Sequence, residues 1–289
     1  MPEGLDQIKE FFRCLHGDEP TGYLIVWTRQ DKATRAFDLS SADALDQAAK
    51  CCAQQAERFD VYAAVGLQRE PPQRGSRGAE DGVVSIPGVW ADIDIGGPAH
   101  KAKNLPASET DAFTLIQAVG LRPSIVVRSG FGLQVYWRFK EPWLLESDAE
   151  RAAAKSLCVR FQALLRRIAK SRGWTVDSTA DLCRVFRIPG TFNRKIPQDI
   201  RAVTAKYTDS AYNPSDLDEI GEASKTPSQS RVGRLRRANG RRPSSHPFSR
   251  VAPGCATAAM TRPACRNRSG TGCSQLLRAA RMPKNGHMS

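Results

Sequence analysis

The chain has 289 residues, with 43 Lys plus Arg against 30 Asp plus Glu, for a formal net charge of +13. Hydrophobic residues at 40% and aromatics at 7% fit a globular protein and exclude a collagen-like or wholly disordered chain. No run approaches about 18 consecutive apolar residues, which argues against a membrane span, and MPEGLDQIKEFF lacks the basic start and apolar run of a signal peptide. A cytoplasmic protein without membrane partners, its eight cysteines reduced and unpaired, is the expectation.

The charge is uneven. Residues 221–289 hold 14 basic residues and one acid, Glu222, so residues 1–220 are formally neutral. The same 221–289 stretch has only six residues from Ile, Leu, Val and Phe, too few to offset the entropy of ordering. Two parts are expected: a folded region over 1–220 and a basic, low-complexity, disordered tail over 221–289.

Along the folded region, helical and strand periods alternate. Leu5, Ile8, Phe12 and Leu15 share one face of a short helix, and Tyr23–Thr28 (YLIVWT) reads as a buried strand. A helix from about Ser41 would bury Leu45, Ala49, Cys52, Ala56 and Phe59, followed by a strand over Val61–Leu67. Glu70–Asp81, rich in Pro, Gly and Arg, reads as a mobile loop. A strand over Val89–Ile95 precedes a helix over Ser108–Val119, with Ser108 and Asp111 as its cap and Gly120 as its stop. Then comes a hairpin of Ile125–Arg128 and Leu133–Phe139 around the turn Ser129–Gly132. The longest helix opens on a Ser147/Glu150 capping box, buries Leu157, Phe161, Leu164, Leu165 and Ile168, and ends at Gly173. Strands around Arg184–Ile188 and Arg201–Tyr207 complete an α+β pattern, largely antiparallel in its second half.

Three segments carry candidate chemistry. In VWADIDIGG, strand alternation puts Trp90, Asp92 and Asp94 on one face. Two adjacent carboxylates on a strand suited to burial are relieved by a hard divalent cation, Mg²⁺ or Mn²⁺, or by the solvent beside an edge strand. In VVRSGFGLQVYWRF, Gly130 and Gly132 either let the backbone approach a phosphate, with Ser129 as a donor, or simply serve the turn. Gln134 lies on the following strand, sharing a face with Tyr136 and Arg138. In GWTVDSTADLCRVFRIPGTFNRK, Asp177 and Asp181 add carboxylates, and Arg184 and Arg187 add guanidinium forks suited to phosphates. Asn193 and Lys195 follow a Pro-Gly-Thr turn. Three-residue spacing of the arginines around apolar Val185 and Phe186 favours a fixed site over a solvated charged loop. The four histidines sit in no motif and read as incidental. Cys255, Cys265 and Cys273 with His246 match no familiar zinc spacing.

The order of the three segments over about Tyr23–Ile220 resembles the archaeo-eukaryotic primase superfamily, in particular the primase-polymerases of plasmids, phages and other mobile elements. The resemblance implies a small α/β part beside an RNA-recognition-like sheet. It also implies DNA primase activity, template-directed nucleotidyl transfer that makes primers on single-stranded DNA from NTPs or dNTPs. By the same likeness Asp92, Asp94 and Asp177 would be the catalytic, metal-binding carboxylates, with Asp181 the lesser candidate for the third. Ser129, Gly130, Gly132, Gln134, Arg184, Arg187, Asn193 and Lys195 would bind the nucleotide. Most members of the family have His where this chain has Gln134, which carries no charge toward a triphosphate; plasmid primases with a similar motif also place Gln there. No GxxxxGK[ST] occurs, so a helicase would be a separate partner. The alternatives are a non-catalytic nucleic-acid- or nucleotide-binding replication or defence module that has lost turnover, and a glycosyltransferase, which also uses DxD but does not need RVFRIPGTFNRK.

Overall fold

The computed structural model describes residues 2–17 and 20–223. The chain opens with α1 (Pro2–His16), β1 (Tyr23–Thr28), β2 (Thr34–Asp38), α2 (Ala44–Ala56), β3 (Val61–Ala64) and β4 (Leu67–Gln68). The long strand β5 (Val83–Asp94) and α3 (Glu109–Gln117) come next, then β6 (Ile125–Arg128), β7 (Gly132–Leu144) and α4 (Asp148–Ser171). Short strands β8 (Val185–Arg187), β9 (Phe192–Asn193), β10 (Arg201–Ala202) and β11 (Thr204–Tyr207) lead to α5 (Pro214–Ala223).

Nine strands form one sheet in the order β11-β6-β7-β5-β4-β1-β3-β8, with β2 on the other side of β1; β9 and β10 pair separately. Every named strand pair is antiparallel, in the first half as well as the second. The α+β class expected from the alternating periods is what the chain adopts. Helix α4 packs on β5, α3 on α4 and β7, and α2 on β1–β3. Trp90, Tyr136, Trp137 and Phe161 are among the largest buried side chains of the core, with the Trp137 and Phe161 rings 4.8 Å apart edge to face.

Most local signals act as expected. Ser108 Oγ accepts the Asp111 N–H at 3.1 Å, and the Ser147/Glu150 capping box opens α4. The expected strand over Val61–Leu67 is broken instead at Val65–Gly66, where a side chain on Gly66 would sit 2.6 Å from the Leu182 carbonyl oxygen. Strand β2 escapes a reading by periodicity, because the sequence TRAFD lacks a clear alternation. The Glu70–Asp81 stretch has no regular structure but is tethered rather than loose. Thr34 Oγ1 donates to the Ser76 carbonyl at 2.6 Å, and Glu80 pairs with Lys155 and accepts the Leu182 N–H. Helix α5 continues three residues past the expected boundary at 220. The rest of the expected tail, with His246, His287 and the three tail cysteines, lies outside the described residues. Among the described residues the cysteines are free, and no helix is long and apolar enough to cross a membrane.

Candidate active site

The site is built on the paired strands β5 and β7, where Asp92 stands opposite Gln134 and Asp94 opposite Gly132. Strand β8 lies at the far end of the sheet order, yet its Arg187 N–H donates to Gln134 Oε1 at 3.1 Å. That bond ties β7 to β8 beside a cleft of about 370 Å³. Asp92, Asp94, Ser129, Gln134, Arg184, Arg187, Asn193 and Lys195 all line it. So do Arg29, Arg77 and His100, making a strongly cationic wall around two carboxylates.

Burial pushes the Asp92 carboxyl up to about 7, and Asp94 pushes it the same way. Arg184 and Arg187 pull it down, and Asp177 adds a further upward push. Asp94 is raised by burial too, against the pull of His100 and Lys195. The pair is therefore crowded and short of positive charge despite its cationic surroundings, the condition a divalent cation relieves.

Asp177 stands differently. It is exposed, on a loop tied to β5 by Trp90 Nε1–H, which donates to the Thr179 carbonyl at 2.6 Å, and by the Gln162 amide. Among the described residues no three His, Cys, Asp or Glu side chains stand close enough to hold one ion. Asp177 is thus near enough to act on both carboxylates by charge, and its loop keeps it at the rim. Asp181 pairs with Arg184 rather than with the other aspartates.

The glycine turn is consumed by packing. Gly130 has φ +99°, and a side chain on Gly132 would lie 2.6 Å from the Ile93 carbonyl oxygen of the Asp-bearing strand. Neither glycine lines the cleft; both face an adjoining groove. Ser129 Oγ donates to the Gly132 carbonyl at 3.1 Å, closing the turn. Asn193, expected at the nucleotide, bonds at both ends within the protein. Its amide donates to the Ser129 carbonyl at 2.5 Å, and its Oδ1 accepts the Lys195 N–H at 3.0 Å. Asn193 clips the third motif onto the second and so aims Lys195.

Arg187 is buried and bonds Asp60 Oδ1 at 2.6 Å. Asp60 also accepts the Arg194 N–H and the Gln30 amide, and these partners hold its carboxyl below the usual range against the opposing cost of burial. Arg184 differs from Arg187 in that its Nε is buried without a partner among the described residues.

Sequence reasoning missed His100 and Asp60. His100 is not incidental: its Nδ1 is 3.0 Å from Asp94 Oδ2 and 3.3 Å from Lys195 Nζ. Its Nε2 faces the Phe131 carbonyl at 3.1 Å, and a carbonyl only accepts, so Nε2 carries a proton. No spacing rule marks either residue, since each reaches the site from a loop.

No family model matches the chain, and no curated protein matches it. Among solved structures it is similar to the AEP domain of the cyanophage S-2L primase-polymerase, at 21% identity and a TM-score of 0.47 over 74% of this chain and 96% of that one. It is similar to primase RepB′ at 16% identity and a TM-score of 0.45, over 76% of this chain and 62% of that one. The catalytic domain of RepB′ in complex with initiator DNA gives 18% identity and a TM-score of 0.43, over 76% and 94%.

Proposed function

We propose that the chain is a metal-dependent nucleotidyltransferase of the primase-polymerase type, joining NTPs or dNTPs on a single-stranded DNA template. One observation carries the reading. Two adjacent carboxylates, both raised by burial and the first held at about 7, face Arg184, Arg187 and Lys195 across one cleft. Carboxylates crowded against one another suit a divalent cation, and the cationic wall suits a triphosphate. The ordered motifs of the sequence add the family likeness.

Asp92 and Asp94 would hold Mg²⁺ or Mn²⁺, with Asp177 at the rim acting on them by charge; both raised carboxyls fit that cation. A cation held there would lower the pKa of a 3′-hydroxyl and steady charge on the transferred phosphoryl group. The residues of the chain do the positioning. Asp92, its carboxyl raised to about 7, would give up its proton on taking the cation. Arg184, held by Asp181, sets its positive charge on the cleft wall for phosphate, and Lys195 adds a point charge beside Asp94. Gln134, its carbonyl committed to Arg187, presents its amide nitrogen to the cleft. His100, with Nε2–H fixed on Phe131, keeps Nδ1 beside Asp94 and Lys195.

The alternative, a nucleotide- or nucleic-acid-binding module without turnover, draws support from the rim position of Asp177. One experiment separates the two: labelled nucleotide with Mn²⁺ and a single-stranded DNA template. Template-dependent incorporation supports the enzyme. Nucleotide binding without incorporation supports the module.

A further inference from the structure

A row of side chains runs across the sheet away from the carboxylates. Asp92 lies opposite Gln134, Gln134 bonds Arg187, Arg187 lies opposite Tyr62, and Tyr62 lies opposite Trp27. The Arg187 guanidinium is 4.7 Å from the Tyr62 ring centre, and the Tyr62 and Trp27 rings are 5.7 Å apart. Arg77, from the loop tethered by Thr34 and Ser76, lies 5.5 Å from the Trp27 ring.

Trp27 is unusual for a tryptophan on a central strand. It packs into neither hydrophobic cluster, it lines the cleft, and its Nε1–H is shut off from solvent with no acceptor among the described residues. A ring kept out of the core, with an idle donor and an exposed arginine over it, is poorly explained by stability alone. Arg29, exposed like Arg77, also lines the cleft and stands against Tyr62.

We propose that Trp27, backed by Tyr62 whose ring is held under Arg187, forms a stacking platform for bases of a single-stranded DNA, with Arg77 and Arg29 taking the flanking phosphates. A base stacked on Trp27 exchanges places with the Arg77 guanidinium, which then meets a phosphate instead of a ring. Aromatic rings interleaved with arginines are what a flexible strand needs, because every base has a stacking face and every link a negative charge. A strand lying on this row passes over Arg187 and reaches the carboxylates at Gln134. That the strand is the template rests on the proposed function; the stacking itself does not.

The test uses the full chain and labelled single-stranded oligonucleotides at raised salt, where the basic residues beyond 223 contribute least. The parent protein should bind an intact strand roughly five- to a hundredfold more tightly than an abasic strand of equal length. Trp27→Leu should erase that preference, and Trp27→Phe should keep most of it. Arg77→Gln should weaken binding of both strands alike. Equal binding of intact and abasic strands by the parent overturns the proposal, and so does a Trp27→Leu protein that keeps the full preference. If saturating dNTP alone abolishes the preference, the rings hold the incoming base and the proposal also fails. A chain that shows the preference but never incorporates nucleotide refutes the proposed function and leaves the platform standing.

Discussion

The side-chain carbonyl of Gln134 accepts the backbone N–H of Arg187 at 3.1 Å, joining β7 beside Asp92 to the terminal strand β8. Both residues are buried, so this bond is a closure of the fold as well as a feature of the site. Gln134→Ala leaves a buried N–H without a partner and should lower stability by about 1–3 kcal/mol in urea denaturation. Nucleotide incorporation should fall with it, because Arg187 loses its position. Gln134→His should recover much of both, since a neutral ring nitrogen accepts the Arg187 N–H while the other faces the cleft. An alanine variant as stable and active as the parent would show that the bond does neither.

Asp60 is the counterion that makes a buried Arg187 tolerable. Asp60→Ala strips the guanidinium of its carboxylate and leaves the Arg194 N–H and the Gln30 amide short of an acceptor. The expected loss is about 3–5 kcal/mol, read as a shift in the urea midpoint. Asp60 has a depressed carboxyl, so its contribution is full above the ordinary Asp value and is lost as pH falls through the folded-state value. The variant should therefore lose the parent's steep destabilisation in strong acid.

Asp92 has the opposite sign. Its carboxyl is raised from 3.8 to about 7, so the folded state binds a proton that the unfolded state has released. Its contribution is full below about pH 4 and disappears as pH rises through 7, a span worth on the order of 4 kcal/mol. The metal-free chain should melt at a lower temperature at pH 8 than at pH 5. Mn²⁺ should restore more stability at pH 8 than at pH 5, and Asp92→Asn should flatten the dependence in this window. A metal-free parent with flat stability from pH 5 to 8 would contradict the crowding of the pair.

Much of the fold was legible because its signals are local. Ser147 and Glu150 sit three apart and make a capping box wherever a helix follows, and YLIVWT is strand whatever its neighbours. The DxD pair was legible for the same reason: alternation alone puts Asp92 and Asp94 on one face. What the sequence does not show depends on contacts made only in the folded chain. The Asn193 amide donates to the Ser129 backbone carbonyl, 64 positions away in the chain, a contact no spacing encodes although both residues line the cleft. His100 looked idle until the Gly96–His100 loop folded back beside Asp94. Asp60 answers an arginine 127 positions away, a pairing no spacing encodes. Polar residues in a motif are chosen by fold and ligand alike, and only their bonds in the folded chain divide them.

The basic residues beyond 223 should bear on DNA binding through their charge. Residues 1–220 are formally neutral, so long-range attraction for DNA should come mostly from the 14 basic groups of 221–289. Removing the chain after Ala223, where α5 ends, should lower DNA affinity at low salt. It should also flatten the slope of log affinity against log salt by about 0.7 for each phosphate the protein no longer neutralises. Coincident slopes for the two proteins would assign the phosphate binding to the folded part.

Asp92 and Asp94 bear the proposed chemistry, and nucleotide incorporation on single-stranded DNA with Mn²⁺ puts them to the test. The full chain should incorporate labelled nucleotide only when template is present, and Asp92→Asn and Asp94→Asn should each abolish incorporation. Asp92→Asn should do so without loss of melting temperature at pH 8, because it removes one of two repelling carboxylates. Undiminished incorporation by either folded variant would contradict the assignment of the pair as the metal-binding carboxylates.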